Sequence, residues 1–252
     1  MDKSCPIWRD KMYKVLICDD DKDIVEAIAI YLETAGYSVV KAYDGFEALD
    51  IMKTQVGQGD DVSKIHLVII DIMMPNMDGI MATRKIREFS QVPIIFLTAK
   101  SEDADKILGL DIGADDYVTK PFNPLELVAR VKSQIRRYTQ LGAINEVDSN
   151  DDKVIVNGGL VINDSAKSVS IDGDEVKLTP IEYSILLFLT ENSGRVYNTS
   201  QIYEAVWDED AIASDNIIAV HIRHIREKIE INPKEPRYLK VVWGQGYKVE
   251  KL

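Results

Sequence analysis

The sequence predicts two domains, an α/β domain built on a doubly wound parallel sheet and a smaller α+β domain. A chain of 252 residues is long enough for two domains of ordinary size. The first part alternates short apolar segments with amphipathic ones, which indicates strands alternating with helices. The last part has short alternating strands, then three helices and two closing strands. We therefore place the first domain at residues 13–137, a flexible acidic linker at 138–152 and the second domain at 153–252.

Five strands alternate with five helices in the predicted first domain. The third strand is the clearest, because four consecutive apolar residues run directly into Asp71 and the segment then breaks at Pro75. Gly36 is a typical end for the first helix, and residues 123–126 combine an N-cap, a proline and a glutamate that begin the last helix. The predicted strands are 13–18, 38–42, 67–71, 93–97 and 116–119, and the predicted helices include 45–52 and 103–110.

Polar residues stand at the carboxyl ends of four of these strands. The first strand runs into Asp19 and Asp20, the third ends at Asp71, the fourth at Thr98 and the fifth at Lys120. In a flavodoxin-like sheet with strand order 2-1-3-4-5, these ends meet beside the switch point of the sheet. Three adjacent carboxylates repel one another unless a hard cation neutralises them, and oxygen ligands suit Mg²⁺ (or Mn²⁺). The site therefore suits phosphoryl transfer, with the carboxylate of Asp71 as the nucleophile.

The third helix of the second domain, predicted at Asp215–Ile229, has two distinct faces. One face carries a buried stripe of isoleucines, and the opposite face suits contacts with base edges and phosphates in a major groove. A three-helix unit followed by strands at 238–242 and 247–250 indicates a winged helix-turn-helix. The stripe consists of Ile218, Ile222, Ile225 and Ile229, and the opposite face of Asn216, Val220, Arg223, His224 and Glu227.

The net charge of −12 argues against general affinity for nucleic acid, but the charge is unevenly distributed. Residues 221–252 contain eight Lys/Arg and four Glu, a net charge of +4. A basic C-terminal segment in an acidic protein indicates a polyanionic partner.

Four motifs in the first domain resemble the receiver domain of bacterial response regulators. They are Cys-Asp-Asp-Asp at 18–21, Asp-Ile-Met-Met-Pro-Asn-Met-Asp-Gly at 71–79, Leu-Thr-Ala at 97–99 and Tyr-Val-Thr-Lys-Pro-Phe at 117–122. The resemblance implies a phosphoacceptor, a Mg²⁺ site, phosphoryl contacts, an aromatic switch and a cis Lys120–Pro121 bond. The corresponding residues are Asp71 as phosphoacceptor, Asp20 as direct and Asp19 as water-mediated metal ligand, Met73 through its carbonyl, Thr98 and Lys120 at the phosphoryl group, and Tyr117 as the switch.

Charged residues from Lys106 to Arg137 alternate in sign, and in the OmpR/PhoB branch of this family such a face forms a symmetric dimer through ion pairs. A solvated charged face is the alternative, since exposed pairs contribute little stability. The expected pairs between two copies are Lys106 with Glu126, Asp111 with Lys132, and Asp116 with Arg130, and the whole expected interface is Lys106, Asp111, Asp115, Asp116, Glu126, Arg130, Lys132 and Arg137.

The second domain resembles the OmpR/PhoB effector domain through Leu-Thr-Pro-Ile-Glu-Tyr, Val-His-Ile-Arg-His-Ile-Arg and Gly-Gln-Gly-Tyr. At the wing several members of the family have an arginine for the minor groove, whereas this chain has Trp243, which leaves lysines as the phosphate contacts there. The sequences of these motifs also resemble those of VanR-type regulators of glycopeptide (vancomycin) resistance. This chain differs from that pattern at Ala219 and Ile225, where the pattern has Thr and Leu. The expected DNA-binding residues are Asn216, His221, Arg223, His224, Arg226, Lys240 and Lys248, with His221 expected at a phosphate.

These resemblances predict a transcription regulator that a sensor histidine kinase phosphorylates. It would then dimerise, bind promoter DNA at tandem or pseudo-palindromic half-sites and act on RNA polymerase. We expect it not to be an enzyme, because the receiver would catalyse only its own phosphorylation and dephosphorylation. Cys5 and Cys18 form no disulfide framework. The first 12 residues contain no apolar h-region, so we do not expect them to be a signal peptide. No apolar run approaches the about 20 residues of a membrane span, so we expect a cytoplasmic protein without a membrane partner.

Two alternatives stay open. One is a regulator that binds DNA independently of phosphorylation and has a vestigial receiver. The other is an acyl-phosphate phosphatase, although the haloacid-dehalogenase type needs a second Asp where this chain has Met73. A Rossmann oxidoreductase is disfavoured, because the first strand runs into aspartates rather than a glycine-rich turn.

Overall fold

A computed structural model describes residues 13–54, 64–99, 113–142, 153–207 and 215–252, with the backbone alone for 140–142, 215 and 216. The predicted helix at 103–110 and most of the predicted linker lie outside these residues. In the described part of the chain no helix is long and apolar enough to cross a membrane.

The N-terminal domain is a parallel sheet with helices on both faces. The strands are β1 (Lys14–Cys18), β2 (Ser38–Ala42), β3 (Ile65–Asp71), β4 (Ile94–Ala99) and β5 (Asp116–Lys120), in the order β2-β1-β3-β4-β5. The helices are α1 (Lys22–Thr34), α2 (Gly45–Thr54), α3 (Gly79–Arg87) and α4 (Pro124–Gly142). This confirms the predicted fold class, and α4 continues into the segment predicted as linker.

Strand β3 is buried on both faces, which explains its unbroken apolar sequence. Leu67 and Ile69 pack in a core together with α1 and α4, whereas Val68 and Ile70 pack in a core on the side of α2 and α3. The registers pair Cys18 with Ile70 and Ala99 with Lys120, so the carboxyl ends of the strands lie along one edge. The site is therefore positioned by the most buried element of the domain.

The C-terminal domain begins with an antiparallel meander of β6 (Val154–Asn157), β7 (Leu160–Asn163), β8 (Ser168–Ile171) and β9 (Asp174–Glu175). Three helices follow, α5 (Pro180–Glu191), α6 (Thr199–Trp207) and α7 (Asp215–Ile229), and then a hairpin of β10 (Leu239–Val242) and β11 (Gly246–Val249). Helix α5 begins with a capping box, in which Thr179 and Glu182 satisfy each other's backbone N–H groups. This is the predicted winged helix.

Candidate functional site

Three carboxylates meet at the carboxyl edge of the parallel sheet. Oxygens of Asp19, Asp20 and Asp71 lie within 4.8 Å of one another, and Asp19 and Asp71 are buried while Asp20 is exposed. The third residue of the aspartate run, Asp21, is the N-cap of α1 and accepts hydrogen bonds from the amides of Asp23 and Ile24. The run thus divides into two residues that face the site and one that begins a helix.

Lys120 connects the two buried carboxylates. Its Nζ lies 2.6 Å from Oδ2 of Asp19 and 2.9 Å from Oδ1 of Asp71. The Lys120–Pro121 peptide bond is cis, as the resemblance implies. Burial alone would lower the pKa of Lys120, but the hydrogen bonds to Asp19 and Asp71 outweigh it and raise that pKa. The ammonium is therefore held in its charged form.

The charges at the site fit a divalent cation. Burial raises the pKa of Asp71, although Lys120 opposes this, because a desolvated carboxylate is less stable. Three carboxylates and one ammonium leave a formal charge of −2, which one Mg²⁺ would neutralise with ligands of the type it prefers. Met73, expected to add its carbonyl, follows β3 and has an exposed side chain.

Two further residues of the predicted site lie on the neighbouring strands. Thr98 is buried near the end of β4, and its hydroxyl has no hydrogen-bond partner among the described residues. Tyr117 is half-buried on β5 and pairs with Phe96 in the β4–β5 ladder. A buried hydroxyl without a partner at the sheet edge fits a contact with an incoming phosphoryl oxygen.

The loop after β3 fits closely against the strand end. A Cβ atom at Gly79 would lie 2.1 Å from the carbonyl oxygen of Asp71, so only glycine fits this position. Asp78 caps α3 by accepting from the amide of Met81 at 2.7 Å. The Asp-Gly pair of the motif therefore fixes the backbone around Asp71 rather than joining the chemistry.

The two domains contact each other through α4 and the end of α6. Ser133 donates to the carbonyl of Trp207 at 3.0 Å, and Arg137 donates to the carbonyl of Val206 at 2.7 Å. The guanidinium of Arg137 also lies 5.7 Å from the centre of the Trp207 ring. We call this arrangement the closed conformation.

In the closed conformation the N-terminal domain also touches helix α7. Nε2 of His221 donates to the carbonyl oxygen of Asp115 at 3.3 Å, and His221 is 1% exposed. Burial lowers the pKa of His221 to about 4. The Nδ1 atom is buried and has no partner in the described part of the chain. His221 is therefore neutral and faces the other domain.

Several predicted DNA contacts are not available in this conformation. On the face that was predicted to be accessible, Val220 and His224 are buried, whereas Arg223 and Glu227 are exposed. His221, which was expected at a phosphate, is also buried. The periodicity of α7 identified its isoleucine stripe correctly. A pattern within one helix does not show that Asp115 of the other domain lies against His221, or that Glu182 of α5 lies 3.9 Å from His224.

The remaining predicted DNA contacts lie near the wing. Arg226 donates from Nε to the carbonyl of Leu239, so it joins α7 to β10. Lys240 and Lys248 face each other on the hairpin and both lie near Glu250. The side chain of Asn216 lies outside the described residues.

The predicted dimer face is largely occupied within one chain. Arg130 pairs with Asp116 at 2.9 Å and with Glu126 at 3.0 Å, which corrects the expected pairing of Asp116 and Arg130 between two copies. Asp115, also expected there, is buried and pairs with Arg87 at 2.7 Å. The reason is geometric, since β5 and α4 are neighbours whose side chains reach each other.

Other members of the predicted dimer face differ in accessibility. Arg137, expected to be free for a second copy, contacts α6 instead. Lys132 is exposed, and Lys106 and Asp111 lie outside the described residues. The contact between the two domains was not predicted from the sequence. Ser133 and Gln134 are polar residues of α4 that are buried in the structure, and they were the available sign that another surface covers this helix.

Comparisons with known proteins agree with this architecture. Residues 15–132 match the response regulator receiver domain, and residues 173–249 match the C-terminal domain of transcriptional regulatory proteins. The regulatory protein VanR of Enterococcus faecium is 45% identical over 239 residues, which cover 94% of this chain and 99% of VanR. The chain belongs to the OmpR/PhoB family of two-component response regulators.

Another relative and a solved structure match this response regulator along nearly its whole length. The alkaline phosphatase synthesis transcriptional regulatory protein PhoP of Bacillus subtilis is 40% identical over 240 residues, covering 94% of this chain and 96% of PhoP. The structure of a RitR mutant covers 95% of this chain and all of that chain with a TM-score of 0.69 at 22% identity, which supports the fold alone. The regulator thus has a receiver and a DNA-binding domain, and a kinase and DNA as partners.

Proposed function

We propose that a sensor histidine kinase phosphorylates this regulator on Asp71, and that the phosphoryl group controls its binding to promoter DNA. The observation that carries the proposal is the Asp71 carboxylate, 2.9 Å from the Lys120 ammonium and within ligand distance of Asp19 and Asp20. Asp19, Asp20, Asp71 and the carbonyl of Met73 would hold a Mg²⁺ (or Mn²⁺) ion. The bound ion would neutralise negative charge on the phosphoryl group during its transfer.

The residues of the chain have separate roles in this step. An oxygen of Asp71 attacks the phosphorus of the donor, and the kinase histidine leaves as the acyl phosphate forms. Lys120 already contacts Asp71 and compensates negative charge on the phosphoryl oxygens. Thr98 has a buried hydroxyl available to donate to one of those oxygens, and Tyr117 follows its movement.

We infer that activation requires the closed conformation to open. In that conformation α7, the proposed recognition helix, packs against the receiver, and Arg137 of the proposed dimer face is bound to α6. While Arg137 takes part in the domain contact it cannot also contact a second copy of the chain, and while His221 takes part in that contact it cannot also contact DNA. Phosphorylation would favour the open state, in which two receivers pair and two winged helices bind adjacent half-sites and act on RNA polymerase.

Phosphorylation with acetyl phosphate and Mg²⁺ tests the site assignment. The wild-type chain and Asp50→Asn, which changes an exposed carboxylate on α2, should both gain an acid-stable, base-labile phosphate seen by intact mass. Asp71→Asn should gain none, and removal of Mg²⁺ should prevent the reaction in every chain. A base-labile phosphate on Asp71→Asn would refute the assignment.

Beryllofluoride separates this proposal from a regulator that ignores phosphorylation. The acyl-phosphate mimic should convert the wild-type chain to a dimer and strengthen DNA binding, measured by sedimentation and by a DNA shift. Unchanged oligomeric state and affinity would favour the vestigial receiver.

The similarity to VanR supports a proposal about target genes. VanR is 45% identical to this chain along nearly its whole length. We therefore propose that the regulated genes include glycopeptide (vancomycin) resistance genes. Mapping the bound genomic DNA in cells treated with vancomycin tests this, and binding confined to unrelated promoters would refute it.

A further inference from the structure

A cavity opens between the two domains beside the contact that Arg137 makes. Its volume is about 440 Å³, within the range of about 300–1,000 Å³ that small-molecule sites occupy. Helix α4 of the receiver forms one wall with Arg136 and Arg137, and helices α5 and α6 of the C-terminal domain form the other. Because the two walls belong to different domains, the cavity exists only in the closed conformation.

The wall from the C-terminal domain is largely apolar. Its lining consists of Leu187 and Phe188 from α5 and of Ala205 and Val206 from α6. The ring of Phe188 packs edge-on against Tyr197, with ring centres 4.7 Å apart, so the ring is held in place. Water finds few hydrogen-bond partners on such a wall, whereas the body of an organic ligand can pack against it.

The wall from the receiver carries positive charge. Arg136 is exposed, and Arg137 is 7% exposed. Nη1 of Arg137 donates to the hydroxyl of Ser133 at 2.9 Å and to the carbonyl of Val206 at 2.7 Å, which are both uncharged acceptors. Two guanidinium groups that line one cavity repel each other, so an anion that reaches both is favoured.

Among the described residues that line the cavity, Glu191 has the one carboxylate, and this carboxylate does not oppose the binding of an anion. Glu191 forms an ion pair with Lys153. The hydrogen bond to Glu191 raises the pKa of Lys153, which keeps the lysine charged. The cavity thus combines positive charge with an apolar wall, in a chain whose net charge of −12 disfavours anions in general.

We propose that this cavity binds a small organic acid, a carboxylate on an aromatic or aliphatic body, and that the bound acid stabilises the closed conformation. The carboxylate pairs with the guanidinium groups of Arg136 and Arg137, and the body packs on Leu187 and Phe188. Opening the domains separates these two halves of the site, so the ligand favours the closed state. The consequence for DNA binding rests on the proposed function, whereas binding to the cavity does not.

Calorimetric titration of the full unphosphorylated chain with 2-naphthoate and with its uncharged isostere 2-naphthamide tests the site. 2-Naphthoate should bind about tenfold more tightly, because its carboxylate forms charge-assisted hydrogen bonds. Arg136→Gln should weaken the binding of 2-naphthoate about tenfold and leave that of 2-naphthamide unchanged, and Arg136→Lys should recover part of the loss. The control Arg84→Gln changes an exposed arginine on α3, outside the cavity, and should bind both compounds as the wild-type chain does.

A second variant locates the apolar part of the site. Ala205 is exposed at the edge of the cavity, so Ala205→Phe should fill the space without disturbing the core and should weaken the binding of both compounds. If Arg136→Gln binds 2-naphthoate as tightly as the wild-type chain, or if Ala205→Phe leaves both affinities unchanged, the proposal is overturned.

Beryllofluoride tests the coupling to the closed conformation. Because coupling between two sites is reciprocal, the beryllofluoride-treated chain should bind 2-naphthoate about tenfold more weakly than the untreated chain, and 2-naphthoate at about ten times its Kd should weaken the binding of random-sequence duplex DNA about tenfold. If beryllofluoride dimerises the chain but leaves the affinity for 2-naphthoate unchanged, the coupling is overturned while the proposed function stands. If beryllofluoride changes neither the oligomeric state nor DNA binding, the proposed function fails, and the comparison of Arg136→Gln with the wild-type chain still decides whether the cavity binds the acid.

Discussion

Acidification should open the closed conformation, and His221 should be the residue responsible. In the closed state burial lowers the pKa of His221 to about 4. If opening exposes the imidazole fully, its pKa returns to the ordinary value of 6.5. A second proton would sit on Nδ1, which is buried with no acceptor among the described residues. Protonation of His221 therefore favours the open state, and opening becomes easier as the pH falls below 6.5.

The size of the effect follows from these two pKa values. Between pH 7.5 and 5.5 the open state gains protons at His221 and the closed state does not, so the ratio of open to closed chains should rise about tenfold. The groups facing His221 are Glu182, His224 and Lys228 from its own domain and Asp115 from the receiver. Burial raises the pKa of Asp115, so protonation of Asp115 acts in the opposite direction. A variant of His221 is therefore required to isolate its contribution.

His221→Gln is that variant, because its amide nitrogen can replace Nε2 as the donor to Asp115 but does not titrate. Single-molecule energy transfer between dyes on Glu33→Cys and Asp174→Cys, both exposed and on different domains, reports the open fraction in a Cys5→Ser background. Between pH 7.5 and 5.5 the ratio of open to closed chains should rise about tenfold more in the wild-type chain than in His221→Gln. An equal pH response in both chains would refute the reasoning.

Three further predictions concern the site, the domain contact and the backbone. Lys120→Met should lower the free energy of unfolding, measured by urea titration without Mg²⁺, by about 2 kcal/mol, because two buried carboxylates lose their ammonium partner. Addition of Mg²⁺ should restore part of the lost free energy of unfolding. Arg137→Ala removes the hydrogen bond to the carbonyl of Val206, so the open fraction measured with the same dyes should rise about fivefold or more. The control Arg136→Ala changes an exposed arginine and should have a smaller effect on the open fraction. Gly79→Ala should lower the free energy of unfolding by more than about 2 kcal/mol, seen as a lower thermal midpoint, because its Cβ would meet the carbonyl of Asp71; an unchanged midpoint would contradict this.

The local elements and the chemistry of the strand ends were predictable because they depend on short-range patterns. The apolar run before Asp71 and the isoleucine spacing of α7 both appear in the structure. The strand order brings Asp19 and Lys120 together from positions far apart in the chain, and the sequence predicted this meeting because parallel sheets place all their carboxyl ends at one edge.

The domain contact depends on surfaces that no local pattern describes. Arg130 and Asp116 pair within one chain because β5 and α4 are adjacent. The pair was predicted to form between two copies, because alternating charge in a sequence does not distinguish an ion pair within one chain from an ion pair between chains. The family resemblance makes His221 a candidate for a phosphate contact with DNA, yet His221 is buried and its Nε2 donates to the carbonyl of Asp115 in the receiver. The sequence by itself determined both folds and the polar residues that meet at the carboxyl edge of the parallel sheet, since hydrophobic periodicity and strand ends are local properties. Only the tertiary structure decided which charged and aromatic surfaces are accessible, because accessibility depends on how two separately folded domains pack.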